Sequence, residues 1–465
     1  MTMRRSRREF MRDAALTSAG LWAVDSTNAA WAQSKSPNEK INFACIGVGG
    51  KGDSDSSDAG NHGNVVAICD VDENTLNHKA QQFPNAKKYT DWRKMLDEMH
   101  KEIDGVTVSV PDHSHGPAAA AAMHLGKAVY CQKPLAHSIY EVRTLSELAR
   151  HKKVATQMGN QGTSDNSMRA NAYRVRAGAL GVVKEVHVWT NRPIWPQGIE
   201  RAPAKTPPSN LNWDLWLGPA APRDYADHYH TFNWRGWWDF GTGALGDMAC
   251  HTVNLPFMAL DLRNPTSVHG ESIQGYSPKT PNAGYHDSYP ASSKIVFEFP
   301  ANATRPALTM HWYDGPDDLQ NRFRPAKELF RGDGFSDLVE NDRISNSGSL
   351  IVGDKGSLYT PGDYGGGGHI VGGTGMTEVD FPHSPGHWEE FVRAIKASDP
   401  LDPKDRAMSN FPEYAGPLAE TILLGNMAVW SPGKKVDWDA KNLRARNAPE
   451  VERIIRPKYR KGYSL

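Results

Sequence analysis

Residues 41–52 read Ile-Asn-Phe-Ala-Cys-Ile-Gly-Val-Gly-Gly-Lys-Gly, an apolar run that enters a G-x-G-x-x-G turn. No other feature constrains the fold as tightly. Gly47, Gly49 and Gly52 meet three steric needs: a tight turn, close approach of backbone to a pyrophosphate, and contact between the next helix and the strand. Gly50 belongs to the same turn and is grouped with them. The phosphates would sit at a helix N-terminus, where free N–H groups point outward. Eighteen residues after Gly52, Asp70 closes the next apolar run, placed to accept both hydroxyls of a ribose. No arginine follows it (Val71-Asp72-Glu73), so a 2′-phosphate would be repelled and NAD is favoured over NADP.

The pattern from 41 to about 160 repeats strand, turn and helix. Short β-branched runs at Ile41–Ile46, Val65–Cys69, Gly105–Val110, Ala128–Cys131 and Val154–Met158, with Ala86–Thr90 as a further short strand, alternate with helical stretches such as Glu73–Gln82, Pro117–Leu125 and Ile139–His151. This predicts an α/β Rossmann domain over 41–164, a doubly wound parallel sheet. After 165 the texture changes. Val182–Thr190, Ser293–Phe299 and Ala307–Tyr313 alternate apolar and polar residues, and Pro- and Gly-rich runs separate the elements. Residues 165–465 are expected to form a substrate-binding α+β domain on a large, mainly antiparallel sheet, its C-terminal tail able to pack back on the first domain. The Gly365–Gly368 run is expected to be a mobile loop. Cys45, Cys69, Cys131 and Cys250 read as free buried thiols rather than a disulfide set.

Ahead of the first domain, Ser6-Arg7-Arg8-Glu9-Phe10-Met11-Arg12 sets paired arginines before an apolar stretch, and Ala30-Trp31-Ala32 is a small-x-small site. This resembles a twin-arginine signal. It implies removal of 1–32, a linker over 33–40, and export of the folded protein to the periplasm. The signal core is too short to span a bilayer stably, and no membrane partner is expected for the mature form. Residues 1–32 hold five arginines and three acids, so a chain of net charge +0 becomes −2 without them. Near-neutrality argues against nucleic acid as a partner. Free nicotinamide cofactor cannot be counted on outside the cytoplasm. An exported protein would carry its cofactor out bound and restore it in every cycle.

The fourth and fifth strands end in Val110-Pro111-Asp112-His113-Ser114-His115 and Cys131-Gln132-Lys133-Pro134, on the carboxyl edge where such sheets bind ligands. Here the chain resembles the glucose–fructose oxidoreductase/inositol dehydrogenase/rhizopine-catabolism (Gfo/Idh/MocA) family, whose members end the fifth strand in Glu-Lys-Pro. The resemblance implies that Lys133 reaches the substrate hydroxyl beside the cofactor; Gln132 departs from the usual Glu. Gly241-Thr242-Gly243-Ala244-Leu245-Gly246-Asp247-Met248-Ala249-Cys250-His251 matches the family's Asp and His after a glycine-rich entry. Asp247 and His251 are four apart and share a helix face. Asn254 stands where many relatives have Asp. The resemblance thus implies a catalytic set of Lys133, Asp247 and His251. His251 is the expected base because its unperturbed pKa lies near working pH, Lys133 would stabilise the alkoxide, and Asp247 would orient His251 or bind a neighbouring hydroxyl. Pro111, His115, Asn160 and Gln161 join the glycines, Asp70 and Lys133 as cofactor contacts. His113 and His115 are read equally as helix-entry packing or direct chemistry. No metal site is expected.

Seven of fourteen tryptophans fall between 189 and 238. The stretch His228 to Trp238 looks like an insertion typical of exported members. Its rings, Trp234 among them, suit stacking on sugar faces while His228, His230, Asn233 and Arg235 bind hydroxyls; the alternative is a Trp-rich core or subunit interface. Three functions follow: an NAD-dependent oxidoreductase acting on a sugar or glycoside hydroxyl with recycled cofactor; a glycoside hydrolase resembling the NAD-dependent α-N-acetylgalactosaminidases, using transient C3 oxidation, with Tyr173, His228 or His230 as the extra base; or a non-catalytic sugar binder. The carbohydrate is the expected small-molecule partner, and a homo-oligomer is expected from the exposed face of the second sheet.

Overall fold

The computed structural model describes residues 40–273, 287–316, 323–330, 335 and 344–465; the leader over 1–32 and the linker over 33–40, apart from Lys40, lie outside them. The first sheet is built as the apolar runs require. It carries β1 (Ile41–Ile46), β2 (Gly63–Cys69), β3 (Lys87–Tyr89), β4 (Gly105–Val108), β5 (Ala128–Cys131) and β6 (Thr156–Met158), in order β3-β2-β1-β4-β5-β6. Every pairing in it is parallel. The crossovers are α1 (Lys51–His62), α2 (Glu73–Gln82), α3 (Trp92–Met99), α4 (Asp112–His124) and α5 (Ile139–Lys152). Ser138 and Glu141 form a reciprocal capping box that starts α5. Helix α3 has no counterpart among the helical stretches read from the sequence; the Asp91 side chain caps it by accepting from Arg93 N–H.

Beyond α6 (Asn166–Arg176), β7 (Val183–Trp189) opens a second sheet. Helices α7 (Trp213–Leu217), α8 (Gly243–Thr252) and α9 (Asn254–Leu260) precede β8 (Ser267–Ile273), β9 (Ser292–Phe299), β10 (Leu308–Tyr313), β11 (Gly348–Gly353), β12 (Gly356–Pro361) and β13 (His369–Gly372). Then come α10 (His387–Lys396), α11 (Gly416–Trp430), β14 (Val436–Asp439) and β15 (Arg444–Ala445). The nine strands run β13-β12-β11-β7-β10-β9-β8-β14-β15, antiparallel except for β7 beside β10. Alternation along β9 buries Ile295, Phe297 and Phe299 on one face, where α11 packs between this sheet and α5. The expected two-part architecture, parallel sheet then mainly antiparallel sheet, is what forms.

The described residues all fall within one compact unit, and the two sheets exchange elements. Helix α10, from the C-terminal half, puts Trp388 and Phe391 against Phe43 and Tyr130 of the first sheet. The C-terminal tail also returns there, with Tyr459 donating to Glu141 on α5 and the Arg93 guanidinium 4.5 Å over the Tyr463 ring. All four cysteines are buried free thiols.

Candidate active site

The glycine turn has the geometry its sequence demands. Gly47 (φ +77°) could not carry a side chain, because a Cβ would lie 2.8 Å from the Ser109 carbonyl carbon. A Cβ on Gly52 would strike the Gly47 carbonyl. Gly49 abuts Thr75, and Gly50 (φ +53°) caps α1 with open space where a side chain would stand. That opening, beside a helix N-terminus, is a cradle for a phosphate. Asp70 ends β2 with its carboxylate aimed by backbone: Oδ2 accepts from Val48 N–H and Oδ1 from Asp72 N–H, each at 3.0 Å. Burial pushes its pKa up, and those two N–H groups oppose the rise.

At the carboxyl edge, Lys133 and α8 meet. Lys133 Nζ donates to the Asp247 carbonyl at 2.7 Å and to Asp247 Oδ1 at 2.9 Å. Arg235 Nε donates to the same Oδ1 at 3.1 Å. Burial alone would raise the Asp247 carboxyl, but Lys133 and then Arg235 outweigh it and hold the pKa at about 2. Gly243, the first residue of α8 with φ +68°, packs on Tyr289, where a Cβ would lie 2.6 Å from the ring. Thr242 Oγ1 locks the entry by donating to Asp112 Oδ2 of α4 at 2.7 Å. One turn past Asp247, His251 is 6% exposed and its Nδ1 has no partner among the described residues. Burial lowers its pKa to about 3, and Lys133 adds to the effect. The neutral ring is therefore not explained by an ordinary pKa near 6.5. Lys133 and Arg235 both donate to Asp247 Oδ1, and no hydrogen bond joins Asp247 to His251 among the described residues. The Tyr364 ring meets His251 edge-on at 4.9 Å.

Behind these residues, Asn160 is fully buried after β6; its Oδ1 accepts from Ser409, and its Nδ2 has no partner among the described residues. An orphaned buried donor here suits a ligand acceptor such as the nicotinamide amide. Gln161, with its amide turned to donate to Gly159, accepts from Lys51 Nζ at 3.2 Å. The residues present therefore fit a dinucleotide at both ends.

Residues 41–160 match the Gfo/Idh/MocA model for an oxidoreductase family with an NAD-binding Rossmann fold, and residues 175–276 match the model of that family's C-terminal alpha/beta domain. The chain belongs to the Gfo/Idh/MocA oxidoreductase family. A levoglucosan dehydrogenase of Pseudarthrobacter phenanthrenivorans is 22% identical over 188 residues, 40% of this chain and 40% of that protein. The chain spans two fifths or less of the length of this and the next curated relatives. Two solved structures share the fold. The WlbA dehydrogenase from Bordetella pertussis, in complex with NADH and UDP-GlcNAcA, has a TM-score of 0.54 at 15% identity, over 86% of this chain and 99% of that one. An inositol dehydrogenase homologue from Azotobacter vinelandii, in complex with NADH and myo-inositol, has a TM-score of 0.55 at 16% identity, over 86% and 98%.

Two departures from the Gfo/Idh/MocA pattern have structural explanations. Gln132, where the family has Glu, donates to the buried carboxylate of Asp55 on α1 at 2.8 Å. Asn254, where many members have Asp, faces away from His251: its Nδ2 donates to Thr163 at 2.9 Å and its Oδ1 accepts from Tyr414 at 2.5 Å.

Several expectations need correction. Pro111 is not one of them; it is the N-cap residue of α4, at the carboxyl edge of the first sheet where it was expected. His115 is enclosed, with Pro134 and Val110 carbonyls 2.8 Å from its two ring nitrogens, so it ties two strand ends together instead of touching a cofactor. His113 faces the carbonyls of Phe240 and Trp216 and packs in the same manner. The aromatic insertion is mainly a core of its own: Trp216, Tyr229, Trp234, Trp237 and Phe240 are buried together. Trp234 is spent there, its indole N–H donating to Thr231, which removes it as a sugar platform. The block fastens to the corner after β2 through Glu73 N–H to Asn210 and Asn212 N–H to Val71, both 2.9 Å. His230 follows it, 3.9 Å from Asp72. His228 is exposed with φ +68°, and its carbonyl accepts from the Trp237 indole N–H. Tyr173 on α6 lies under the Arg176 guanidinium. None of Tyr173, His228 and His230 contacts Lys133, Asp247 or His251 among the described residues. Asn233 opens the short turn that carries Arg235, and Arg235 reaches the cluster through Asp247. Tyr364 and Asp55 were missed, the one by lying in a glycine-rich loop, the other by sitting on a polar helix. No metal-holding group of three or more His, Cys, Asp or Glu occurs among the described residues.

Proposed function

We propose that this protein oxidises a hydroxyl of a sugar or glycoside with a nicotinamide cofactor that stays bound between turnovers. The observation that carries the reading is the Lys133–Asp247–Arg235 cluster beside neutral His251, at the carboxyl edge of a dinucleotide-binding sheet. The Gly47–Gly52 turn would hold the pyrophosphate, Asp70 the adenosine ribose, and Asn160 with Gln161 the nicotinamide amide. NAD bound there supplies the hydride acceptor.

The chain's own groups manage the proton and the charge. Lys133 spends two N–H bonds on Asp247 and keeps one for the substrate oxygen, whose growing negative charge it stabilises. His251, unprotonated across the neutral range, takes the hydroxyl proton. Asp247 stays ionised and holds Lys133 and Arg235 in place. Export through the twin-arginine pathway, read from Arg7-Arg8 and the apolar stretch after them, supports cofactor retention. Conversion of both arginines to lysine should leave the protein in the cytoplasm if this is right. Self-association through the half-buried face of the second sheet is part of the same proposal and is checked by light scattering.

The test uses purified protein without added cofactor. Sugars that convert bound NAD to a species absorbing as reduced nicotinamide, reversed by a ketose or aldose, support the reading. Aglycone release without net redox change would instead indicate the hydrolase, and inertness a binding protein. His251→Ala should abolish reduction while NAD content is unchanged.

A further inference from the structure

Among the described residues, a large ring stands open to solvent directly beside the candidate base. Tyr364 is 55% exposed although its ring centroid is 4.9 Å from that of His251, itself 6% exposed. The connection 362–368 that carries it crosses from the β12–β13 hairpin to the segment after β6. It does not hang free, as a glycine run suggests. Gly367 N–H donates to Ser167 Oγ at 3.1 Å. A Cβ on Gly365 (φ +73°) would meet Leu255 at 3.1 Å, and one on Gly368 would meet Thr360 at 2.6 Å and Asn171 at 2.7 Å. The glycines thus let backbone lie flat on α6 and α9. Asp363 adds an ion pair to Arg192 at 3.4 Å. The result is a fixed strap that presents one aromatic ring over His251. Of the rings expected to stack on sugar, Trp234 and Trp237 are buried, and Phe232 has the Arg235 guanidinium over its ring at 4.5 Å.

We infer that Tyr364 is the platform for the substrate ring, and that the substrate is therefore a pyranose or its glycoside rather than an open-chain polyol; this rests on the sugar-oxidising function proposed above. A pyranose offers a flat patch of C–H groups that covers an aromatic face, with its hydroxyls directed outward to Lys133 and His251. An extended polyol offers no such patch.

The test is calorimetric titration of the NAD-loaded protein with methyl pyranosides of glucose, galactose and N-acetylgalactosamine, and with sorbitol, followed by steady-state oxidation of whichever bind. Tyr364→Ala should weaken pyranoside binding and raise KM about tenfold, with kcat changed less than about threefold. Tyr364→Phe, which keeps the ring, should recover most of the affinity. Because Tyr364 is exposed, Tyr364→Ala should keep its NAD content and its unfolding midpoint. Equal pyranoside affinity in the unsubstituted protein and Tyr364→Ala overturns the inference, as does no pyranoside binding at all or an equal loss for sorbitol. Pyranosides that bind through Tyr364 but never reduce the cofactor would leave the platform standing and sink the redox reading instead.

Discussion

Gln132 and Asp55 form a buried amide–carboxylate pair at 2.8 Å. Ser109 donates to the same Asp55 oxygen at 2.7 Å and Lys51 pairs with the other at 2.9 Å. The pair ties the residue before Lys133 to the helix that follows the phosphate turn. Gln132→Glu would set two carboxylates against each other out of water, at a cost of about 2–4 kcal/mol. Asp55→Asn in the same chain should recover most of that loss. Denaturant unfolding of both singles and the double gives the cycle, and simple additivity would show that the pair is not coupled.

Base function at His251 makes a pH prediction. An ordinary histidine pKa of about 6.5 would give an acid limb in kcat/KM near neutrality. Burial and Lys133 bring His251 down to about 3, so its proton-accepting form persists as pH falls through the neutral and mildly acidic range. No limb from His251 should appear between about pH 5 and 8. An acid limb near 6.5 in the kcat/KM profile of the unsubstituted protein would contradict this.

Asp70 should select the cofactor. Asp70→Asn keeps acceptor geometry toward Val48 or Asp72 but removes the charge that repels a 2′-phosphate. NAD affinity should fall roughly tenfold, a loss of about 1.4 kcal/mol, while NADP affinity rises. Fluorescence titration of protein stripped of nucleotide measures both, and an unchanged NAD-to-NADP ratio would remove Asp70 from this role.

Arg169 and Glu390 are both 2% exposed at the side chain and pair at 2.6 Å. Arg169 also donates to the Thr163 carbonyl at 2.8 Å, so the pair joins α10 to the turn after Asn160 and Gln161. Glu390→Ala would leave a buried guanidinium uncompensated, costing about 3–5 kcal/mol. A thermal unfolding midpoint that does not move would show that the cation finds another partner.

Chain order by itself determined the phosphate turn, Asp70, the Lys133-Pro134 strand end and the Asp247/His251 face, along with the parallel-then-antiparallel plan. Each rests on local backbone geometry or on spacing within one element, and those survive folding unchanged. Only tertiary structure decided that Arg235 would reach Asp247, that Tyr173, His228 and His230 would stand apart, that His115 would be enclosed, and that Tyr364 would be the ring left open over His251. Those outcomes depend on which faces pack together across distant segments. Burial then reverses simple expectations: it lowers His251 to about 3 and withdraws a tryptophan-rich stretch into its own core.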